Sequence, residues 1–282
     1  MTMRESSALA NGGTPQTALD TSRPHPARRY DYWLGGKDNF AADRESADRI
    51  ARAFPQIRTA AQENRRFLRR AVAFLSAEAR VKQFLDIGTG LPASPNVHEV
   101  TQKIVPASRV VYVDNDPMVV SHARGLMTSS PQGTTTCIQA DLRAPDTILA
   151  DPAVRATIDL TEPVGLLLIA ILHFLDDNEN PYDLVARLVA ALPSGSYIAL
   201  SHATLDPLPE DVIEQLTALT GNGGDQGTFR PRTRADVARF VDGLDLIDPG
   251  VVPIVRWRPE RSPQAAASVA DTAMYGAIAR II

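Results

Sequence analysis

From residue 81 onward, apolar and polar positions alternate in blocks that predict an α/β chain. Five short apolar runs predict strands near residues 82–87, 109–114, 135–140, 164–171 and 196–202. The segments between them have apolar residues at helical spacing and predict helices near residues 95–104, 116–129, 145–157 and 182–192. Because strands and helices alternate, and because crossovers between parallel strands are right-handed, the pattern favours a doubly wound parallel sheet.

The chain before this block has a different pattern. Residues 1–22 are rich in small and polar residues without apolar periodicity, which predicts a flexible tail. Two helices are predicted within residues 23–80, one capped by Asp38 and one starting at a Thr59–Gln62 capping box. Because both precede the first strand, they predict an N-terminal helical cap.

The last third of the chain is less regular. Helices are predicted near residues 208–220 and 233–242, with a glycine-rich loop at 221–227 between them. Two further strands are predicted near residues 245–248 and 272–281. The total is seven strands.

The turn after the first predicted strand has the most specific chemistry. The apolar run that contains Asp86 leads into Gly88-Thr89-Gly90. Glycine lets the backbone approach a ligand where a Cβ would collide with it. The next strand ends at Asp114, and an acid at that point can bind both hydroxyls of a ribose. The two strands therefore predict a β-turn-α-β unit that holds a nucleoside.

Two classes of nucleoside ligand suit such a unit, NAD and S-adenosylmethionine. Residues 88–93 match the Gly-x-Gly-x-x-Gly/Ala pattern of dinucleotide sites, which is a weak signal alone. Asp86 disfavours a pyrophosphate, because phosphate needs N–H groups and positive charge. Pro92 removes a further N–H group from the turn. A carboxylate suits a ligand with an ammonium and a sulfonium group, so the residues favour S-adenosylmethionine.

These motifs resemble the class I S-adenosylmethionine-dependent methyltransferases. Residues 86–90 are similar to the first motif of that class, Asp114 to its ribose-binding acid, and residues 137–141 to its third motif. Residues 27–40, which contain Tyr-Trp-Leu-Gly-Gly-Lys-Asp-Asn, resemble the signature of an actinobacterial subgroup. That subgroup is the S-adenosyl methyltransferase family, formerly a domain of unknown function.

The resemblance implies a fold, a cofactor and a set of binding residues. The fold is a Rossmann-like methyltransferase sheet over residues 81–282, with seven strands of which the last is antiparallel, and with residues 23–80 as a cap or lid. The cofactor is S-adenosyl-L-methionine. Asp86 is expected at its methionyl end, Asp114 at the ribose and Asp141 at the adenine amino group. The cofactor-binding candidates are Asp86, Gly88, Gly90, Asp114, Asn115, Asp141, Leu142, Tyr32, Lys37 and Asn96.

The aromatic and glycine-rich block within residues 27–40 has two interpretations. It is either a packed anchor for the cap or a lid over the active site, because glycines allow movement and aromatic rings exclude water. Lys37 or Arg28 is a candidate partner for the methionine carboxylate of the cofactor, and Asn96 is another.

Among the histidines, His173 is the catalytic candidate. It follows the fourth predicted strand, where an imidazole can act as general base toward a hydroxyl or amine nucleophile. The alternative is that its ring only forms part of the pocket wall. His202, which ends the fifth strand, is a weaker candidate, and His98 is predicted to be structural. Asp116 precedes Pro117 and is predicted to cap a helix.

Composition narrows the class of protein. The 282 residues are 44% hydrophobic and 22% charged, which is typical of a globular protein. The single cysteine, Cys137, excludes a disulfide framework and a zinc-thiolate cluster, and no metal is predicted. An apolar signal segment is missing from the N-terminus, and the longest apolar run is too short to span a bilayer. We therefore expect a cytoplasmic protein without a membrane partner.

The distribution of charge along the chain indicates which kind of molecule accepts the methyl group. Basic residues outnumber acidic ones in residues 23–80, but arginines alternate there with acids at helical spacing, as on solvated helix faces. The fourth strand is not followed by a base-flipping motif, so we expect a small-molecule acceptor and no nucleic acid partner. Two alternatives remain open at this point, a non-catalytic sensor of the cofactor and an NAD-dependent oxidoreductase.

Overall fold

The computed structural model describes residues 20–220, 228–259 and 267–282. The strands of this part are β1 Gln83–Ile87, β2 Arg109–Asp114, β3 Thr134–Gln139, β4 Gly165–Ile169, β5 Tyr197–Ala203, β6 Asp245–Leu246, β7 Val252–Pro253 and β8 Met274–Arg280. They form one sheet in the order β3-β2-β1-β4-β5-β8-β6, and β7 pairs with β8 outside that order.

Strands β1 to β5 are parallel, and β8 runs antiparallel to β5. This confirms the doubly wound sheet and its antiparallel last strand. The described residues form eight strands rather than seven, because two residues at 252–253 add a short strand beside β8. The order of the strands reverses between β1 and β4, and ligands of open α/β sheets bind at such a switch point.

The helices connect the strands and surround the sheet. They are α1 Pro26–Leu34, α2 Ala41–Ala53, α3 Ile57–Ala77, α4 Val97–Ile104, α5 Pro117–Leu126, α6 Pro145–Ala150, α7 Pro152–Thr157, α8 Pro181–Ala190, α9 Glu210–Thr220, α10 Arg234–Ala238 and α11 Val269–Thr272. Within the described ranges, none of them is both long and apolar enough to cross a membrane.

Both faces of the sheet are buried, because successive side chains of a strand point to opposite sides. Leu85 and Val111 belong to the apolar layer that also contains residues of α6, α7 and α8. Phe84 and Val110 belong to the layer on the other face, together with Phe67 and other residues of α3. The long helix α3 therefore packs directly on the sheet, and α1 and α2 contact α3 in turn.

Helix α1 was not predicted, although its ends have clear signals. Pro26 occupies the first turn, and the ring of His25 accepts a hydrogen bond from the N–H of Ala27 at 3.3 Å. Gly35 ends the helix with a left-handed φ of 85°. The glycines and aromatic residues around it favoured an irregular segment, but tertiary packing of the aromatic rings stabilises a short helix.

Several predicted helix starts were wrong by a few residues. Helix α2 is capped at Phe40 by the side chain of Asp43, not by Asp38. Helix α3 starts at residue 57, two residues before the Thr59–Gln62 box. Helix α4 has Asn96 as its N-cap and starts at Val97, two residues after the predicted start at residue 95.

Other boundaries also differ from the predictions. The predicted helix 145–157 is two short helices, because Asp151 and Pro152 end one and start the next. The predicted strand 245–248 is two residues long. Residues 1–19 of the predicted tail and the loop 221–227 lie outside the described residues.

Candidate functional site

The turn after β1 approaches the end of β2 closely. The N–H groups of Gly88 and Thr89 both donate to the carbonyl of Val113, at 2.8 and 3.2 Å. Gly88 has a φ of 75°, and a Cβ at this position would lie 2.6 Å from the side chain of Ile171. Gly90 has a φ of 68° and open space where its Cβ would point. Glycine is required at both positions by backbone conformation, and at Gly88 by contact as well.

Asp114 is held by backbone groups on both sides. One carboxylate oxygen accepts from the N–H of Gly90 at 2.8 Å, and the other accepts from the N–H of Asp116 at 3.0 Å. Burial raises the pKa of Asp114 to about 6, although these hydrogen bonds favour the charged form. The carboxylate is therefore fixed in orientation at the end of β2.

Asp86 is a buried acid that lacks a cation in direct contact among the described residues. It is 5% exposed in the fold, and the hydroxyl of Thr89 donates to it at 3.0 Å. Burial raises the pKa of Asp86 to about 7, and the positive charge of Arg65 only partly opposes this. A buried carboxyl with such a pKa suits a cationic ligand, which would favour its ionised form.

Asp141 lies after β3 in a polar setting. Its two oxygens accept from the side-chain N–H of Asn115 at 3.1 Å and from the backbone N–H of Arg143 at 2.9 Å. Burial would raise the pKa of Asp141, but these hydrogen bonds and the Arg143 guanidinium lower it overall. Leu142 is buried beside it. Asp86, Asp114 and Asp141, which were predicted at the ends of three strands, thus line the same cavity.

A cavity of about 380 Å³ lies at the carboxyl ends of the parallel strands. One part of its lining contains three acids and consists of predicted cofactor residues, namely Asp86, Gly88, Gly90, Asp114, Asn115, Asp141 and Leu142. Another part belongs to a contiguous apolar cluster between α2, α3 and α9, including Ile50, Phe54, Ile57, Leu205, Leu208 and Leu216. One cavity therefore joins an acidic compartment to an apolar one.

Other predicted cofactor residues do not line this cavity. The hydroxyl of Tyr32 contacts Asp48 at 3.1 Å, and Lys37 is exposed. Asn96 is the N-cap residue of α4, where its side chain accepts from the N–H of Ala93 at 3.0 Å and donates to Glu99 at 3.0 Å. The structure brings none of the three to the acidic compartment.

Arg28 and Asp116 form a buried ion pair between the first helix and the turn after β2. Arg28 Nε lies 3.0 Å from Asp116 Oδ2, and His25 Nδ1 lies 3.2 Å from the same oxygen. Asp116 also accepts from the N–H of Met118 at 2.9 Å, which confirms its predicted role as a helix cap. Arg28 therefore ties α1 to the turn between β2 and α5.

Sequence reasoning missed the residues that α3 contributes to the cavity. Arg65 lines it near Asp86 and donates to the carbonyls of Ala93 and Pro95, the latter at 2.9 Å. Asn64 donates to the hydroxyl of Tyr30 at 3.0 Å. An arginine or asparagine in an amphipathic helix has the same sequence signal on a solvated face and at a site, so only packing reveals these positions.

His173 lines the cavity from a 3₁₀ turn, Leu172–Phe174, that follows β4. Its ring contacts those of Phe174, His202 and Phe229, with centroids 4.4, 5.5 and 5.4 Å away. His202 is buried behind it and is not part of the lining. His98 is buried elsewhere and its Nδ1 lies 2.8 Å from the Tyr112 hydroxyl.

The sheet order, the glycine turn and the acids at three strand ends define an S-adenosylmethionine-dependent methyltransferase. A sequence model described as S-adenosyl methyltransferase matches residues 12–282, and the chain belongs to this family. No curated protein sequence matches it significantly.

Solved structures agree with this assignment. A DUF574 family protein from Streptomyces avermitilis is 44% identical, with 93% of this chain and 99% of that chain covered and a TM-score of 0.87. A candidate methyltransferase from Thermobifida fusca is 38% identical, with 95% and 98% covered and a TM-score of 0.82. An O-methyltransferase family protein from Burkholderia thailandensis, 14% identical over 80% of this chain and 57% of its own, shares the fold alone at a TM-score of 0.50.

Proposed function

We propose that this protein transfers the methyl group of S-adenosylmethionine to a small, largely apolar molecule bound in the same cavity. The observation that carries the proposal is the shape of the lining. The acidic compartment at the strand ends adjoins the apolar cluster between α2, α3 and α9. Small-molecule sites are typically concave, mostly apolar and equipped with a few polar groups that fix orientation.

The acidic residues match the chemistry of S-adenosylmethionine. Asp86 is proposed to face its ammonium and sulfonium groups, beside the backbone of Gly88 and Gly90. Asp114 is proposed to accept hydrogen bonds from the ribose hydroxyls, with Asn115 alongside. Asp141 and Leu142 are proposed to contact the adenine ring, the acid at its amino group. The buried carboxyl of Asp86 supports this arrangement, because a cationic ligand would bring the opposite charge that its surroundings supply only in part.

Arg65 extends this proposal beyond the predicted residues. It lines the cavity and lies close enough to influence the charge of Asp86. A guanidinium at this point can pair with the methionine carboxylate, the role that sequence reasoning gave to Lys37, Arg28 or Asn96. Tyr32, Lys37 and Asn96 are accordingly assigned to the cap and to the start of α4, outside the proposed cofactor site.

When bound, the cofactor supplies an activated methyl carbon, so that transfer forms a bond from the acceptor to carbon, breaks the carbon–sulfur bond and leaves the electron pair on sulfur. The chain itself needs to align the acceptor and exclude water. Orientation of this kind can supply roughly 7–11 kcal/mol in favourable cases. The rings of Trp33, Phe54 and Phe229 line the cavity and keep water away from the acceptor.

Helices α1 and α2 are proposed to act as the cap over the acceptor, within the N-terminal segment of residues 23–80. The Arg28–Asp116 pair and the Tyr30–Asn64 hydrogen bond hold the cap against the sheet domain, residues 81–282. The hydroxyl of Ser201 on β5 donates to Asn64 Oδ1 at 2.6 Å, so the connection reaches the sheet. Held in this way, the cap forms part of the wall of the apolar compartment.

Two measurements test the proposal. Calorimetry should show binding of S-adenosylmethionine and S-adenosylhomocysteine and none of NAD. Transfer of labelled methyl from S-adenosylmethionine should then be screened against panels of phenols, carboxylic acids and amines. We expect products among apolar, ring-containing acceptors. NAD binding would support the oxidoreductase, and tight cofactor binding without any methylated product would support the sensor.

Leu208 offers a test of the apolar compartment by itself. Leu208→Trp fills part of the cavity, so methyl transfer should fall while S-adenosylhomocysteine affinity stays the same. Leu246 lies on β6 and is 43% exposed, so Leu246→Trp is the matched control. Equal activity in both variants would show that the acceptor binds elsewhere.

A further inference from the structure

The position of the proton on His202 follows from its neighbours. Arg232 Nη1 lies 3.1 Å from His202 Nε2, and a guanidinium can only donate. His202 Nε2 is therefore the acceptor and lacks a proton. His202 Nδ1 carries the proton and donates to the carbonyl of Ala203 at 2.8 Å. The same guanidinium is anchored by Asp177, 2.7 Å away, and by the carbonyl of Leu172, 3.1 Å away.

The backbone N–H of Ala203 determines which ring nitrogen of His173 carries the proton, and it is the other nitrogen from that of His202. This backbone N–H, which can only donate, lies 3.3 Å from His173 Nδ1. The neutral ring of His173 therefore carries its proton on Nε2. Among the described residues Nε2 has no hydrogen-bond partner, and the ring lines the cavity beside Ala203 and Phe229. The Nε2–H group of His173 therefore has no acceptor among the described residues, and it can donate a hydrogen bond to a ligand in the cavity.

The surroundings also keep the ring of His173 uncharged. Burial lowers its pKa well below the usual value, and the nearby His202 and Arg232 lower it further. The other rings against it, Phe174 and Phe229, are apolar. Asp177, the acid bound to Arg232, is also paired with Arg230. No described carboxylate is in contact with the imidazole to stabilise an imidazolium.

We propose that His173 binds an oxygen of the methyl acceptor as a neutral hydrogen-bond donor through Nε2–H, and that it is not a general base. This rests on the proposed function and sharpens it. The favoured acceptor is an apolar molecule with a phenolate, carboxylate or carbonyl oxygen. A reacting hydroxyl loses its proton to water before transfer. A reacting amine is neutral and has a single lone pair, which must form the bond to the methyl carbon and cannot also accept from this donor, so amine acceptors are disfavoured.

The proton positions can be measured without an acceptor. Long-range ¹⁵N–¹H spectra of the full chain with S-adenosylhomocysteine report the protonated nitrogen of each of the five histidines. His173→Gln assigns the signal of interest by its loss. We expect His173 protonated on Nε2 only, without titration from about pH 5.5 to about pH 8.5, a range that spans the ordinary histidine pKa. A bare Nε2, or titration within this range, would overturn the proposal whether or not an acceptor is known.

Activity with an acceptor from the screen gives a second test. Glutamine can donate from about the position of Nε2 but cannot act as a base. His173→Gln is expected to keep kcat/KM within about tenfold of the natural protein, while His173→Leu loses about 10–100-fold, the effect of a lost hydrogen bond to a charged group. Equal losses of about 10²–10⁴-fold in both variants would indicate a general base instead. Calorimetry with S-adenosylhomocysteine shows separately whether the cofactor site is intact.

Discussion

Affinity for S-adenosylhomocysteine is expected to fall as the pH drops, because two buried carboxyls of the cofactor site take up protons. Burial raises the pKa of Asp86 to about 7 and that of Asp114 to about 6. We take the ionised carboxylates as the binding forms, because they accept stronger hydrogen bonds from an ammonium group or from ribose hydroxyls than protonated carboxyls do. The free protein therefore binds more protons than the complex, so affinity rises with pH and is lost below the free-state pKa values.

The size of the effect follows from these two pKa values. Between about pH 7.5 and pH 6, the ionised fraction of Asp86 falls from about three quarters to about one eleventh, which weakens binding about eightfold. Asp114 falls from almost fully ionised to about one half and adds about twofold. Together the two acids predict about sixteenfold weaker binding and, near pH 6, the release of about 1.4 protons for each ligand bound.

Calorimetry at both pH values, in buffers of different ionisation enthalpy, measures the affinity and the proton release together. Asp86→Asn is the matched variant, because it keeps the shape of the side chain but cannot titrate. This variant should bind S-adenosylhomocysteine less tightly near neutral pH. Its affinity should also lack the roughly eightfold change between pH 7.5 and pH 6 that comes from Asp86. The ligand titrates equally in both experiments, so their difference isolates Asp86. A natural protein whose affinity changes less than twofold, or a variant with the same slope, would refute the reasoning.

Three further predictions follow from single contacts. Asp114→Ala should weaken S-adenosylhomocysteine binding by about 1–3 kcal/mol through lost hydrogen bonds to a charged group; unchanged calorimetric affinity would contradict the ribose role. Arg28→Met should lower the free energy of unfolding by about 3 kcal/mol in urea denaturation, because Asp116 stays buried without its guanidinium partner. Adding Asp116→Asn should recover part of that loss, and no recovery would argue against the ion pair as its cause. Gly88→Ala should lower the melting temperature more than Gly90→Ala, because only the first Cβ collides with a neighbour; equal shifts would show that backbone strain alone matters.

Local sequence determined the sheet and the acids around it. Apolar runs that end in an acid or a glycine turn define strands in a sheet buried on both faces, and chain order with right-handed crossovers leaves few topologies. Asp86, Gly88 and Asp114 could therefore be located from the sequence alone, since each lies within, directly after or at the end of such a run. The antiparallel β8 came from the resemblance to the methyltransferases rather than from periodicity.

Boundaries and caps were less predictable. Asp38 and Thr59 are good capping residues, yet the helices start elsewhere, at residues 41 and 57. Helix α1 is short, and it is stabilised by its contacts with α2 and α3, which its own sequence does not reveal. Capping preferences amount to about 1 kcal/mol, so tertiary contacts override them readily.

The site shows the same division between local pattern and tertiary contact. The sequence by itself determined the residue types at the strand ends, because those positions depend on chain-local patterns of strand and turn. Only the tertiary structure decided that Arg65 faces the cavity and that Ala203 sets the proton of His173. These roles depend on how the backbone folds around each side chain, often through segments far apart in the chain. A residue type with its spacing does not specify which partner the folded backbone brings within hydrogen-bond distance.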